Sequence, residues 1–187
     1  MKVVGISGSP RTGGNSDILL DCVLEGAMCA GARVEKVALN GLEFSPCLEC
    51  GGCEKSGVCV LRDDLEPVYG TIGSADALVV ASPIFFGGVS AQLKMMIDRF
   101  QCRWIAKYIL GAGRPAQKKR KGVFLSVAGA RKKQAFTNAG DVVRAFFATV
   151  DTEYSGELLC GAVEKKGDVV RDKRSLRKAF ELGRSLV

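Results

Sequence analysis

Lys2-Val3-Val4-Gly5-Ile6-Ser7-Gly8-Ser9-Pro10-Arg11-Thr12-Gly13-Gly14-Asn15-Ser16 opens as a short apolar run and then breaks into glycine, proline and hydroxyl residues. Lys2 to Ser7 reads as a buried strand, and Gly8 to Gly14 as a glycine-rich turn. Helical periodicity follows from about Asn15 to Ala30, with Ile18, Leu19, Cys22, Val23, Gly26 and Ala27 on one apolar face. A strand leading through a tight turn into a helix is the first half of a parallel α/β unit.

The remainder of the chain repeats that alternation. Strands are expected at Arg33 to Leu39, Ala75 to Ala81, Gly122 to Val127 and Glu153 to Cys160. Helices are expected from Asp63 or Asp64 (as cap) toward Gly73, at Ser90 to Cys102, Ala135 to Ala148 and Lys173 to Leu186, with Arg103 to Gly113 a helical or irregular continuation. The fold class is therefore α/β. The expected form is a flavodoxin-like three-layer sandwich, a five-stranded parallel sheet in the order 2-1-3-4-5 with helices on both faces. That order places a ligand at the carboxyl ends of strands 1 and 3.

Three segments fall at those ends. Gly8 to Ser16 offers close backbone approach, the hydroxyls of Ser9, Thr12 and Ser16, the charge of Arg11 and a helix N-terminus, which together suit a phosphate. It has the Gly-x-x-x-x-Gly spacing of an NTPase loop without the Lys-Ser/Thr that should follow, so Mg-nucleotide hydrolysis is not expected. A plain turn with Asn15 or Ser16 as helix cap is the alternative. Ser82-Pro83-Ile84-Phe85-Phe86-Gly87-Gly88-Val89-Ser90 makes an apolar shelf suited to a flat heteroaromatic ring, and its place opposite the phosphate loop favours a flavin. Phe85 and Phe86 as core residues are the competing reading. Ser126-Val127-Ala128-Gly129-Ala130-Arg131 would let the other edge of a ring approach, or would be an ordinary strand-to-helix turn.

Cys47, Cys50, Cys53 and Cys59 lie within thirteen residues of one aperiodic interval, Asn40 to Arg62. Four soft thiolates in one tight loop suit zinc or iron–sulfur. Zinc ribbons separate two ligand pairs by a dozen or more residues, so the spacing favours a [4Fe–4S] cluster, with zinc or metal-free thiols as alternatives. Cys22, Cys29, Cys102 and Cys160 read as structural. With no histidine in the chain, imidazole bases and His-ligated zinc are excluded. No acid–base catalytic residue is expected.

Of the 187 residues, 47% are hydrophobic and 25% charged, enough for one core. A single domain over 1–187 with a cysteine loop at about 45–62 is expected. No apolar run approaches the roughly 18–20 residues needed to cross a bilayer, and the first residues do not read as a signal peptide. A cytoplasmic protein without a membrane partner is expected. The net charge of +7 would fall toward roughly +3 with a cluster and a phosphomonoester bound. The basic runs Lys118-Lys119-Arg120-Lys121 and Arg131-Lys132-Lys133 read as solvated loops or a surface for an acidic partner, not as a nucleic-acid site.

Together these motifs resemble the iron–sulfur flavoproteins, within the NADPH-dependent FMN reductases of flavodoxin-like fold. The resemblance rests on Gly8 to Ser16, on Ser82 to Gly87 continuing through Ser90-Ala91-Gln92-Leu93-Lys94 to Ile97-Asp98-Arg99, on the cysteine spacing, and on Cys59-Val60-Leu61-Arg62-Asp63-Asp64. It implies one FMN and one [4Fe–4S] cluster per subunit of a homodimer or homotetramer. FMN would be bound by Ser9, Arg11, Thr12, Gly14, Asn15, Ser16, Pro83, Ile84, Phe85, Phe86, Gly87, Ser126 and Ala128. It further implies electron transfer between a ferredoxin-like donor or NAD(P)H and an acceptor such as oxygen species or quinones. Two alternatives remain: an NAD(P)H-dependent FMN or quinone reductase without a permanent cluster, and a zinc-stabilised basic nucleic-acid-binding module.

Overall fold

The computed structural model describes residues 1–112, 120–130 and 133–187. Among these, β1 (Lys2–Ser7), β2 (Arg33–Ala38), β3 (Ala77–Pro83), β4 (Arg120–Val127) and β5 (Thr152–Cys160) form a parallel sheet in the order β2-β1-β3-β4-β5. The expected flavodoxin-like topology is the one observed. Because strand side chains alternate between faces, Val4, Ile6, Leu78, Val80 and Phe124 enter one core, while Val3, Val79, Ala81, Val123 and Leu125 enter the other. Helices α2 (Glu66–Gly73), α3 (Ala91–Arg99) and α5 (Thr137–Thr149) cover the first face with Val68, Ile72, Leu93, Met96, Val143 and Phe146. Helices α1 (Asn15–Cys29) and α6 (Lys173–Leu186) cover the second.

The crossing of α1 and α6 is set by two glycines. A β-carbon on Gly26 would lie 2.0 Å from the carbonyl oxygen of Phe180, and one on Gly183 would lie 1.9 Å from that of Val23. The helices therefore touch backbone to backbone. Neither position can carry a side chain unless the helices move apart.

Element edges differ from the sequence expectation where tertiary contacts override local pattern. β3 starts and ends two residues later than expected, at Ala77 and Pro83. The helix expected from Ser90 to Cys102 starts with Ser90 as its cap, whose Oγ accepts from Leu93 N. It stops at Arg99, resumes as α4 (Gln101–Trp104), and closes in a π-helical turn over Ile105–Ile109. Asp63 and Asp64 do not cap α2, which begins at Glu66 after Leu65; their carboxylates tie the preceding loop instead. Arg120 is not a solvated loop cation: its Nη1 donates to the carbonyls of Ile72 and Ala75, and its Nη2 to that of Val150. Those carbonyls belong to the ends of α2 and α5, where a cation complements the helix dipole. Gly113, Lys118, Lys119, Arg131 and Lys132 lie outside the described residues. Among those described, no helix is long and apolar enough to cross a membrane.

Gly26→Ala should cost at least about 2 kcal/mol, seen as a lower urea midpoint at unchanged m-value. Gly70→Ala serves as the control: its β-carbon would meet nothing within 4 Å. It should gain about 0.5–1 kcal/mol from helix propensity.

Candidate functional site

A cleft of about 220 Å³ opens at the carboxyl ends of β1, β3, β4 and β5. It is lined by Ser9, Arg11, Gly14 and Ser16 from the first loop, Pro83, Ile84 and Phe85 from the second, Ala128 and Gly129 from the third, and Val163, Glu164 and Lys166 after β5. The three expected segments thus meet in one place. Hydrogen bonds extend the sheet ladder into these loops: Ile84 N donates to Val127 O at 2.9 Å, Ala128 N to Cys160 O at 2.9 Å, and Val163 N to Ala128 O at 3.0 Å. Gly8 N bonds Ala81 O at 2.8 Å, and Ser90 Oγ donates to Gly8 O at 2.5 Å, so the first two loops are fastened to each other.

The first loop is shaped by a carboxylate that sequence reading did not single out. Asp17 sits in the first turn of α1 and is buried. It accepts from Ser7 Oγ at 2.7 Å and from Gly13 N at 2.9 Å, and pairs with Lys36 Nζ at 2.8 Å. Burial alone would raise its pKa, but Lys36, Ser7 and Gly13 outweigh that and hold the carboxyl below the ordinary aspartate value. A short polar residue three positions past a double glycine was the available signal, hidden behind Asn15 and Ser16.

The side chains of the loop have divided roles. Ser9 Oγ donates to Arg11 O at 2.8 Å and accepts from Arg11 N at 3.2 Å, closing the turn. Asn15 is not a helix cap, that position being Gly14. Its amide donates to Lys165 O at 2.8 Å and its oxygen accepts from Val169 N at 3.2 Å, which brings the loop after β5 over the cleft. Lys166, also unforeseen, leans over Gly13: a β-carbon there would meet its Nζ at 4.0 Å. Ser16 is 1% exposed, and its Oγ has no hydrogen-bond partner among the described residues. Buried hydroxyls are ordinarily satisfied, so this one fits a ligand oxygen.

Four of the expected ring and phosphate residues do not line the cleft. Thr12 Oγ1 accepts from Asn40 at 3.2 Å on the surface. Ser126 is fully buried and donates to Ser82 O at 2.8 Å, holding β4 against β3. Phe86 and Gly87 form the tip of a two-residue hairpin turn closed by Phe85 and Gly88, with φ of +50° and +75°. Positive φ at both positions is the geometry of a type I′ turn. It leaves Phe86 fully exposed while Phe85 faces the cleft.

Cys47, Cys53 and Cys59 are half-buried, Cys50 is exposed, and all are free thiols. Cys53 and Cys59 pack on the core under α2 and α4. Gly57 N donates to Cys53 O at 2.8 Å, and Gly57 has φ of +66° against Ala106, so the chain doubles back there as its glycine suggests. Burial raises the Cys53 pKa, and the other three thiols add to the shift, so the four share one neighbourhood. Among the described residues, however, no three Cys, His, Asp or Glu side chains are gathered as a metal site.

A five-stranded parallel sheet in the order β2-β1-β3-β4-β5, with a cleft where the strand order reverses, defines a flavodoxin-like fold. The sequence profile of the NADPH-dependent FMN reductases, a family of FMN-dependent oxidoreductases, matches residues 1–150; the chain belongs to that family. It is 42% identical over 99 residues to an iron-sulfur flavoprotein of Methanocaldococcus jannaschii, covering 53% of this chain and 51% of that one. It is 37% identical over 131 residues to an iron-sulfur flavoprotein of Methanosarcina thermophila, covering 70% and 65%. The match thus spans about half to two thirds of these relatives' length. Among solved structures, an NAD(P)H:quinone oxidoreductase from Methanothermobacter marburgensis superposes with a TM-score of 0.70 at 23% identity, covering 100% of this chain and 96% of that one.

The depressed Asp17 pKa makes its contribution to stability present above pH about 4 and lost as pH falls through the lower folded-state value. Asp17→Asn should therefore be less stable at neutral pH and flatten the acid limb of stability against pH, measured by urea unfolding between pH 3 and 7. An acid limb identical to wild type would remove Asp17 from this role.

Proposed function

We propose that the chain binds FMN in the cleft and a [4Fe–4S] cluster on Cys47, Cys50, Cys53 and Cys59. It would pass electrons between a ferredoxin-like donor or NAD(P)H and an acceptor such as oxygen species or quinones, as a homodimer or homotetramer. The observation that carries the flavin half is the orphaned Ser16 hydroxyl, buried at the N-terminus of α1 beside Arg11 and Lys166. The first-turn amides of a helix have no intrahelical acceptor, so a dianionic phosphate there would meet free N–H groups, one hydroxyl and two cations. The cleft is smaller than the roughly 300–1,000 Å³ of sites that enclose a whole ligand. A flavin would thus be held by its phosphate and one ring edge, with the rest open to a reaction partner.

FMN and the cluster together supply interconversion of two-electron and one-electron steps. The residues of the chain bind and orient. Ile84 and Phe85 would pack against the ring, and Ala128 and Gly129 would let its far edge approach backbone amides. Lys166, over Gly13, would add a positive charge on the phosphate side. For the cluster, the support is an all-thiol donor set in one neighbourhood and the names of the relatives. The ungathered sulfurs favour the second reading, a flavin reductase whose cysteines hold nothing permanent. The nucleic-acid-binding alternative gives the cleft no role.

Ser16→Ala should lower FMN affinity by about 10- to 100-fold, the loss of one hydrogen bond to a charged group, in a flavin-fluorescence titration, with unfolding of the FMN-free protein unchanged. Anaerobically purified protein should contain iron and sulfide stoichiometric with FMN, and Cys53→Ala should lose the iron while keeping FMN. Iron-free wild type with full FMN would establish the second reading.

A further inference from the structure

The loop after β5 is held by one side chain of the first loop. Asn15, 8% exposed, donates its amide to Lys165 O at 2.8 Å and accepts from Val169 N at 3.2 Å. These partners lie 150 and 154 residues further along the chain. Within the loop, Lys165 N donates to Asp168 Oδ2 at 2.8 Å and Asp168 N to Lys165 O at 3.1 Å. Val163 N donates to Ala128 O at 3.0 Å, fastening the start of the segment to the loop after β4. Left-handed residues bound residues 162–167, Ala162 with φ of +60° and Gly167 with φ of +84°. For alanine that backbone is strained; such strain persists only where surrounding contacts fix it, and it collects at ligand clamps. The family match covers residues 1–150, so this segment lies beyond it.

Docking the segment does not by itself require Asn15. Val169 is fully buried in the core under α1 and α6, and that apolar burial seats the chain there. What Asn15 adds is the position of the residue between its two partners. Lys166 stands there, and its side chain lies over the glycine-rich turn: a β-carbon on Gly13 would meet its Cε at 3.6 Å and its Nζ at 4.0 Å. The carboxylate of the same segment, Glu164, lies instead against Gly129, its Oε1 3.0 Å from a β-carbon placed there. Among the described residues Lys166 makes no ion pair. It lines the same cleft as Arg11 and the unpartnered Ser16 hydroxyl. A lysine on a loose loop loses most of its attraction for an anion to the cost of ordering loop and side chain; a backbone fixed beforehand removes part of that cost.

We infer that Asn15 and Lys166 make the cleft select a phosphorylated flavin over an unphosphorylated one: Lys166 is the specificity-determining cation, and Asn15 is its positioning residue. The inference rests on the flavin reading above and names the part of the ligand that the closing loop recognises. A phosphomonoester carries up to two negative charges near neutral pH, whereas the ring and its sugar-alcohol chain are neutral. One cation over the turn therefore attracts FMN and contributes little to riboflavin.

Flavin-free, full-length protein titrated separately with FMN and with riboflavin, followed by flavin fluorescence, tests both roles. Lys166→Met should weaken FMN about fivefold, the scale of one solvent-exposed charge pair, and leave riboflavin unchanged. Lys166→Arg should keep the wild-type preference, and added salt should weaken FMN more in wild type than in Lys166→Met. Asn15→Ala should weaken FMN at least as much as Lys166→Met, and combining the two should add nothing, because Lys166 is then already displaced. Should Asn15→Ala fail to fold, Asn15→Ser, whose shorter side chain cannot span Lys165 and Val169, takes its place in the same comparison. An FMN-to-riboflavin preference in Lys166→Met equal to wild type overturns the charge role. Additive losses in the double variant overturn the positioning role. Wild type that binds both flavins equally overturns the selectivity and leaves the flavin site standing; wild type that binds neither overturns the flavin reading as well.

Discussion

The structure depends on a reversal in strand order. β2 lies on one side of β1 and β3 on the other, so the chain leaving β1 turns away from the chain leaving β3. A crevice between them is unavoidable, because parallel strands must each be followed by a crossover. What varies is how the crevice is finished. Here Ser90 holds the two loops together through Gly8, and the segment after β5 is drawn over the opening by Asn15. The result is a cleft of about 220 Å³ at the carboxyl edge of the sheet, lined by loops from four strands.

Two buried charges do comparable work at opposite ends of the candidate chemistry. Asp17 gathers Ser7, Gly13 and Lys36, and so holds the glycine-rich turn between β1 and α1. Arg99 gathers Ser45 and Asp63, and so holds the base of the cysteine loop. In both cases an irregular segment, poor in apolar side chains, cannot fix its own shape by burial. A charged group that must satisfy several partners at once does so instead. The same economy appears at Phe86, where a bulky residue adopts positive φ at a cost of about 1–3 kcal/mol so that Phe85 can face the cleft.

Much of the site was legible in the sequence because its signals are local. Glycines, hydroxyls and a helix start in succession mark the first loop of the cleft; proline and aromatics after an apolar strand mark the second; cysteine spacing marks the sulfur-rich loop. The contributions of Val163, Glu164 and Lys166 were not legible, since they reach the cleft only through hydrogen bonds spanning most of the chain, such as Asn15 to Lys165. Asn15, Ser9 and Ser126 were legible as polar residues in the right places, yet their hydrogen bonds are taken up within the protein.

The sequence by itself determined the α/β class, the strand order and the segments that meet at the carboxyl edge, because periodicity and turn chemistry are properties of neighbouring residues. Only the tertiary structure decided which hydroxyl remains unpaired, which aromatic faces inward, and that Arg99 and Asp63 close a loop far from the helix expected of one and the cap expected of the other. Those outcomes are set by which distant groups satisfy one another once buried, and pairing over long separations leaves no periodic trace in the chain.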